Sequence, residues 1–190
     1  DDGVADVTIS GNNASRVMSV NGSLSGIELT GLVLTEGSAS GGGGGLSIGL
    51  NSSVTVRDSA ITNSAESGLG GGGVYGSTVT LTLINTTVSG NSSNTFGGGI
   101  RVVGAGTLNL ISSTVSDNTT TGAGAHGGGI QFAGPGLTIV NSTISGNAVL
   151  GTASDGGGLR ITSGAANVYN TTIVGNAATG SGGGVSANGT

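Results

Sequence analysis

Apolar and polar residues alternate in short bursts along this chain, and the bursts recur. Leu34, Ile61, Val88, Val115, Ile144 and Ile173 are separated by 27, 27, 27, 29 and 29 positions. Seven positions before each lies Ile27, Val54, Leu81, Leu108, Leu137 or Ala166. Two positions further on, Leu29, Val56, Leu83, Leu110, Ile139 or Val168 completes an apolar-x-apolar pair. A third series follows directly on runs of glycine: Leu46, Val74, Ile100, Ile130, Leu159 and Val185, at steps of 28, 26, 30, 29 and 26. Three series in one phase mark an internal repeat. The period-two alternation and the brevity of each burst predict strands rather than helices.

A unit of about 27 residues with three brief strands fits one coil of a parallel β-solenoid, in which equivalent strands stack and inward residues form continuous columns. The expected fold is all-β, with about seven such coils forming a single domain over residues 1–190. Leucine-rich repeats have a similar length but need a Leu/Asn consensus and a helical return, which are missing here. An array of β-hairpins would need turn dipeptides every 8–12 residues. Glycine before a strand suits a tight corner, because it tolerates positive φ and brings no Cβ. Length varies in the segments 64–70, 92–96, 119–126 and 148–155, just upstream of the glycines, which predicts loops along one edge.

Composition narrows the reading further. With 43 glycines, 34% apolar residues, 2% aromatics and 7% charged residues, the core must be built from Val, Ile and Leu. A single proline and the lack of a Gly-X-Y register exclude collagen. A net charge of −5, from nine acids and four arginines, leaves no basic footprint for nucleic acid or for an anionic membrane surface. There is no cysteine, hence no disulfide or thiolate metal site. No apolar run approaches the ~20 residues of a membrane helix.

Four strings repeat near the strand ends: NTTVSGN (85–91), SSTVSDN (112–118), NSTISGN (141–147) and NTTIVGN (170–176). Stacking places Asn91, Asn118, Asn147 and Asn176 in one column, where side-chain amides can bond one another and the turn backbone. Asn12 is expected to continue that column. Thr87, Thr114, Thr143 and Thr172 form an outward column, read first as exposed strand residues and, as a third functional reading, as an ice-binding face. Nine Asn-x-Ser/Thr sequons are candidate N-glycosylation sites: Asn13, Asn21, Asn51, Asn85, Asn91, Asn118, Asn141, Asn170 and Asn188.

Catalytic chemistry is not expected. The acids are scattered and do not stack in threes, so no metal site and no cofactor is assigned. Asp58 beside Arg57 predicts a surface ion pair, and His126, the only histidine, predicts a solvated loop residue. The glycine runs lack the Gly-Lys-Ser/Thr ending of a phosphate loop and precede strands rather than helices.

The tetrapeptides GGGI (97–100 and 127–130) and GGGV (71–74 and 182–185), with VSGN, VSDN, ISGN and IVGN in the second role of the repeat, resemble the repeats of polymorphic outer-membrane proteins of bacteria. Val or Ile stands here for the Phe of that family's FxxN. The resemblance covers nearly the whole chain and implies a right-handed parallel β-helix, secretion or display on a bacterial cell surface, and structural or adhesive roles. Joining Thr190 to Asp1 would place Val185 14 positions before Ile9, the same interval as Val74 to Val88. The expected function is therefore structural: an extracellular fibre or surface stalk built by head-to-tail self-association. The alternative is an adhesin that recognises glycans through the loops before the glycine runs.

Overall fold

The computed structural model describes residues 7–188. Among them every strand pairing is parallel, and every partner lies one coil away. Three sheets result. The long face has eleven strands, a second face has seven, and a third has six strands of two residues each. One coil runs Val74–Ser77 and Thr80–Ile84 on the long face, Thr87–Ser89 on the second and Ser92–Ser93 on the third. Coils thus carry four strand segments rather than the three expected. In two coils the long-face pair fuses into single strands, Ile130–Val140 and Leu159–Tyr169.

The repeat phase has a direct physical cause. Leu81 pairs with Val54 and Leu108, Leu83 with Val56 and Leu110, and Val88 with Ile61 and Val115. All of these side chains are at most 1% exposed. Val74, Ile100 and Ile130 form a further buried column behind the glycines. Each fully buried aliphatic contributes about 1.5–3 kcal/mol through lost contact with water. A one-residue slip would turn every column outward, so the register is firmly set.

The short third face escaped the sequence pattern for a clear reason. Its inward column runs Ala39, Glu66, Ser93, Thr120, Val149, Ala178, which carries no apolar alternation. It occupies the start of the segments read as variable loops. No helix of the described chain is long and apolar enough to cross a membrane.

Glycine triplets lie between the third face and the long face, and each glycine in a triplet answers a different requirement. At residues 127–129, Gly127 has φ 69°. A Cβ on Gly128 would lie 2.5 Å from the carbonyl oxygens of Ala148 and Gly157. One on Gly129 would lie 2.9 Å from the Asn147 amide carbon. The first residue thus turns the chain, the second lets two backbones meet, and the third makes room for the asparagine column. The same contacts recur at Gly97–Gly99 and Gly156–Gly158.

Candidate functional site

Two corners of each coil follow one rule: a residue with positive φ, then a residue whose side chain restores bonding that the bent backbone gives up. At the corner leaving the second face, Gly90, Asp117, Gly146 and Gly175 have φ between 56° and 65°. The residues that follow are Asn91, Asn118, Asn147 and Asn176, and they do form the predicted ladder. The Asn118 amide nitrogen donates to Val88 O at 2.9 Å and to Asn147 Oδ1 at 3.0 Å. Its Oδ1 accepts from both the backbone N–H and the Nδ2 of Asn91, each at 3.0 Å. Asn91, Asn118 and Asn147 are at most 1% exposed, so the amides are saturated without water.

The ladder changes composition towards the N-terminus. Ser64 takes the next position, its N–H donating to Asn91 Oδ1 at 2.9 Å, and Gly37 N–H donates to Ser64 Oγ at 3.1 Å. Asn12 does not continue the column, contrary to expectation. Ser38 N–H bonds Ser15 O, as Ala65 N–H bonds Gly37 O, so Ser15 holds the ladder position. Asn12 and Asn13, with φ 51° and 54°, bulge outward and are exposed.

The other corner, between the long and second faces, carries a ladder that the sequence reading missed. Asp58, Asn85, Ser112, Asn141 and Asn170 have φ between 46° and 52°. The next residue is always Ser or Thr. Ser113 Oγ donates to Ile111 O at 2.8 Å and accepts the Thr86 N–H at 3.0 Å; Ser142 Oγ donates to Val140 O at 2.8 Å and accepts the Ser113 N–H at 3.2 Å. The signal is present in the recurring N-T-T, S-S-T and N-S-T triplets, of which those with Asn also match the glycosylation sequon.

These corners sort the nine sequons. Asn85, Asn141 and Asn170 are exposed corner residues, while Asn91 and Asn118 are buried ladder rungs closed to modification. Asn13, Asn21, Asn51 and Asn188 are exposed, and the sequon threonine after Asn188 lies outside the described residues. Thr87, Thr114, Thr143 and Thr172 pair in register one residue before the buried Val88, Val115, Ile144 and the partly buried Ile173. Their column continues into Ala60 rather than a further threonine.

Two expectations about charged groups are corrected. Arg57 pairs with Glu28 of the preceding coil at 3.1 Å, reaching it diagonally, since the register sets Thr30 opposite Arg57 and Glu28 opposite Thr55. Asp58 turns into the corner and accepts Asn85 Nδ2 at 2.7 Å. His126 is not a free loop residue. Its ring stacks on Phe96 with centroids 5.9 Å apart, and its Nδ1 accepts the Asp155 N–H at 2.9 Å. Burial and the nearby Arg160 lower its pKa, with Asp155 opposing, so the imidazole is held neutral with its proton on Nε2.

His126 belongs to a loop edge that only stacking assembles. Gly70, Phe96, His126 and Asp155 each precede a glycine triplet and follow one another coil by coil. Tyr75, Arg101, Gln131 and Arg160 pair in register beside them. Arg101 lies 4.7 Å over the Phe96 ring and donates from Nε to Gln131 Oε1 at 3.0 Å and from Nη1 to Leu69 O. The loop beneath is pinned by Glu66, 3% exposed, whose carboxylate accepts the N–H groups of Gly42, Gly68, Leu69 and Gly70 and the Ser93 hydroxyl. Among the described residues no three of His, Asp and Glu converge as a metal would require. Asp1, Asp2 and Asp6 lie outside them, as does the junction of Thr190 with Asp1.

No curated protein and no solved structure matches the sequence. The model of the right-handed beta helix region family matches residues 3–190, almost the whole chain, and agrees with the parallel coils and stacked columns. The chain therefore belongs to the right-handed beta helix family.

Proposed function

We propose that the chain is a structural rod, part of an extracellular fibre or cell-surface stalk, in which coils continue head to tail beyond the residues described. The observation that carries this reading is the recurrence of one joint between successive coils. Aliphatic columns run through every coil, and from Asn91 to Asn176 a side-chain amide ladder joins each coil to the next, a joint that a further solenoid can repeat. A heterologous contact with little rotation does not close into a ring but grows into a filament. Kinship with the polymorphic outer-membrane protein repeats, and display outside a bacterial cell, belong to the same proposal, as does the absence of catalysis. Electron microscopy of purified chain at rising concentration tests it: filaments about one coil wide support the reading, and uniform monomers at every concentration overturn it.

A second reading, recognition of glycans by the loop edge, is favoured by one observation. The only histidine and three of the four arginines gather there in a chain with 7% charged residues. Glycan binding that is lost when residues 119–126 are replaced supports it.

A further inference from the structure

Acceptors and donors on the loop edge are unevenly consumed. Both acids are spent internally. Glu66 accepts four backbone N–H groups and a hydroxyl, while Asp155 accepts the Ser181 N–H at 2.6 Å and faces Arg160 at 3.5 Å. The donors are not. Arg101 Nη2, His126 Nε2 and Gln131 Nε2 have no hydrogen-bond partner among the described residues, and Arg160 Nε is buried and unpaired. Arg16 lies on the same edge but three coils from Arg101, bound to Gly42 O and Gly43 O at 2.9 Å, and takes no part in the site. Around Arg101 and Arg160 the two guanidinium charges are matched by Glu66 and Asp155, so what sets this edge apart is its unpaired donors rather than its net charge. Planar guanidinium and amide donors beside an imidazole N–H suit a planar or tetrahedral oxyanion.

Resting on the reading of this edge as a glycan site, we propose that it binds acidic saccharides, with Arg101, His126 and Gln131 donating to a sulfate or carboxylate oxygen. Phe96 fixes the spacing, since both Arg101 and His126 pack on its ring. The surplus of donors favours an anion over a neutral hydroxyl, because a sulfate or carboxylate oxygen only accepts and its charge-assisted bonds are stronger.

The test is calorimetric titration of the intact chain with heparin, which carries both anions, hyaluronan, which carries carboxylate alone, and neutral dextran. Heparin is expected to bind and dextran not. Binding of hyaluronan assigns the carboxylate, and heparin without hyaluronan assigns the sulfate. Arg101→Gln with His126→Phe should weaken binding at least tenfold, whereas Arg57→Gln, at the opposite end of the long face beside the second-face corner, leaves it unchanged. An equal loss in Arg57→Gln marks diffuse attraction and overturns the proposal. Since Arg101 also holds Leu69, competition on the unmodified chain gives a second measurement: sodium sulfate should displace heparin better than sodium chloride of equal ionic strength, and equal displacement counts against the site. Dextran binding that is lost in the variants would keep the glycan site and sink the anion. No binding of any glycan would sink both.

Discussion

Asn118→Ala should remove one rung from a fully satisfied, buried ladder. The substitution deletes the donors to Val88 O and Asn147 Oδ1 and the acceptor of two Asn91 donors. The Asn91 backbone N–H loses its partner at a site 1% exposed. An orphaned buried donor costs about 1–3 kcal/mol, and three further lost bonds add about 1 kcal/mol each, so the expected loss is about 4–6 kcal/mol. Asn118→Asp separates hydrogen bonding from shape. Its second carboxylate oxygen would face Val88 O and Asn147 Oδ1, two acceptors, and bury a charge, for a loss exceeding that of alanine at neutral pH. Burial raises that carboxyl's folded pKa above its unfolded value of about 3.9. The deficit is then full above the raised pKa and shrinks as pH falls through it, because the neutral acid can donate once more. Urea unfolding followed by far-ultraviolet circular dichroism at pH 7.5 and 4.5 reads both effects. An alanine variant within about 1 kcal/mol of the unmodified chain, or an aspartate variant indifferent to pH, would refute the ladder's role.

Four further outcomes can be checked the same way. Gly129→Ala forces a Cβ to within 2.6 Å of Gly158 O and 2.9 Å of the Asn147 amide, and should cost more than about 3 kcal/mol. Gly136→Ala, with Thr107 Cγ2 its nearest neighbour at 3.8 Å, should change stability by less than about 0.5 kcal/mol. Glu66→Gln turns an amide nitrogen toward N–H groups that now meet a carboxylate, and should cost about 2–3 kcal/mol and raise protease cleavage after Leu69. The lowered pKa of His126 means that the unfolded chain takes up a proton first. Its contribution is therefore complete above about pH 6.5 and fades as pH falls from there towards the folded value. Comparison of thermal melts between pH 7.5 and 5 should show a smaller drop for His126→Phe than for the unmodified chain, with Arg160, Asp155 and Phe96 as the groups facing the ring.

Much of the fold was legible because a solenoid is nearly one-dimensional. Each inward residue repeats the environment of the residue one coil away, so Ile61, Val88, Val115 and Ile144 carry the architecture in their spacing. The asparagine ladder was legible for the same reason, since a column needs like residues in register. The third face was hidden because Glu66, Ser93 and Thr120 point inward there in strands of two residues. The hydroxyl ladder was visible but resembled sequons, and Asn12 left its column because residues 12–14 form a bulge that spacing alone does not reveal.

The sequence by itself determined the coil, its phase and the residues that line the core, because those follow from local alternation multiplied by repetition. Tertiary structure alone decided which charges meet. Arg57 reaches Glu28 rather than its neighbour Asp58, and Arg101, His126 and Gln131, up to 30 positions apart, come together on one edge. The physical reason is that stacking converts separations of one coil into neighbours about 4.8 Å apart. In irregular loops, no periodic signal announces which side chains will share that proximity.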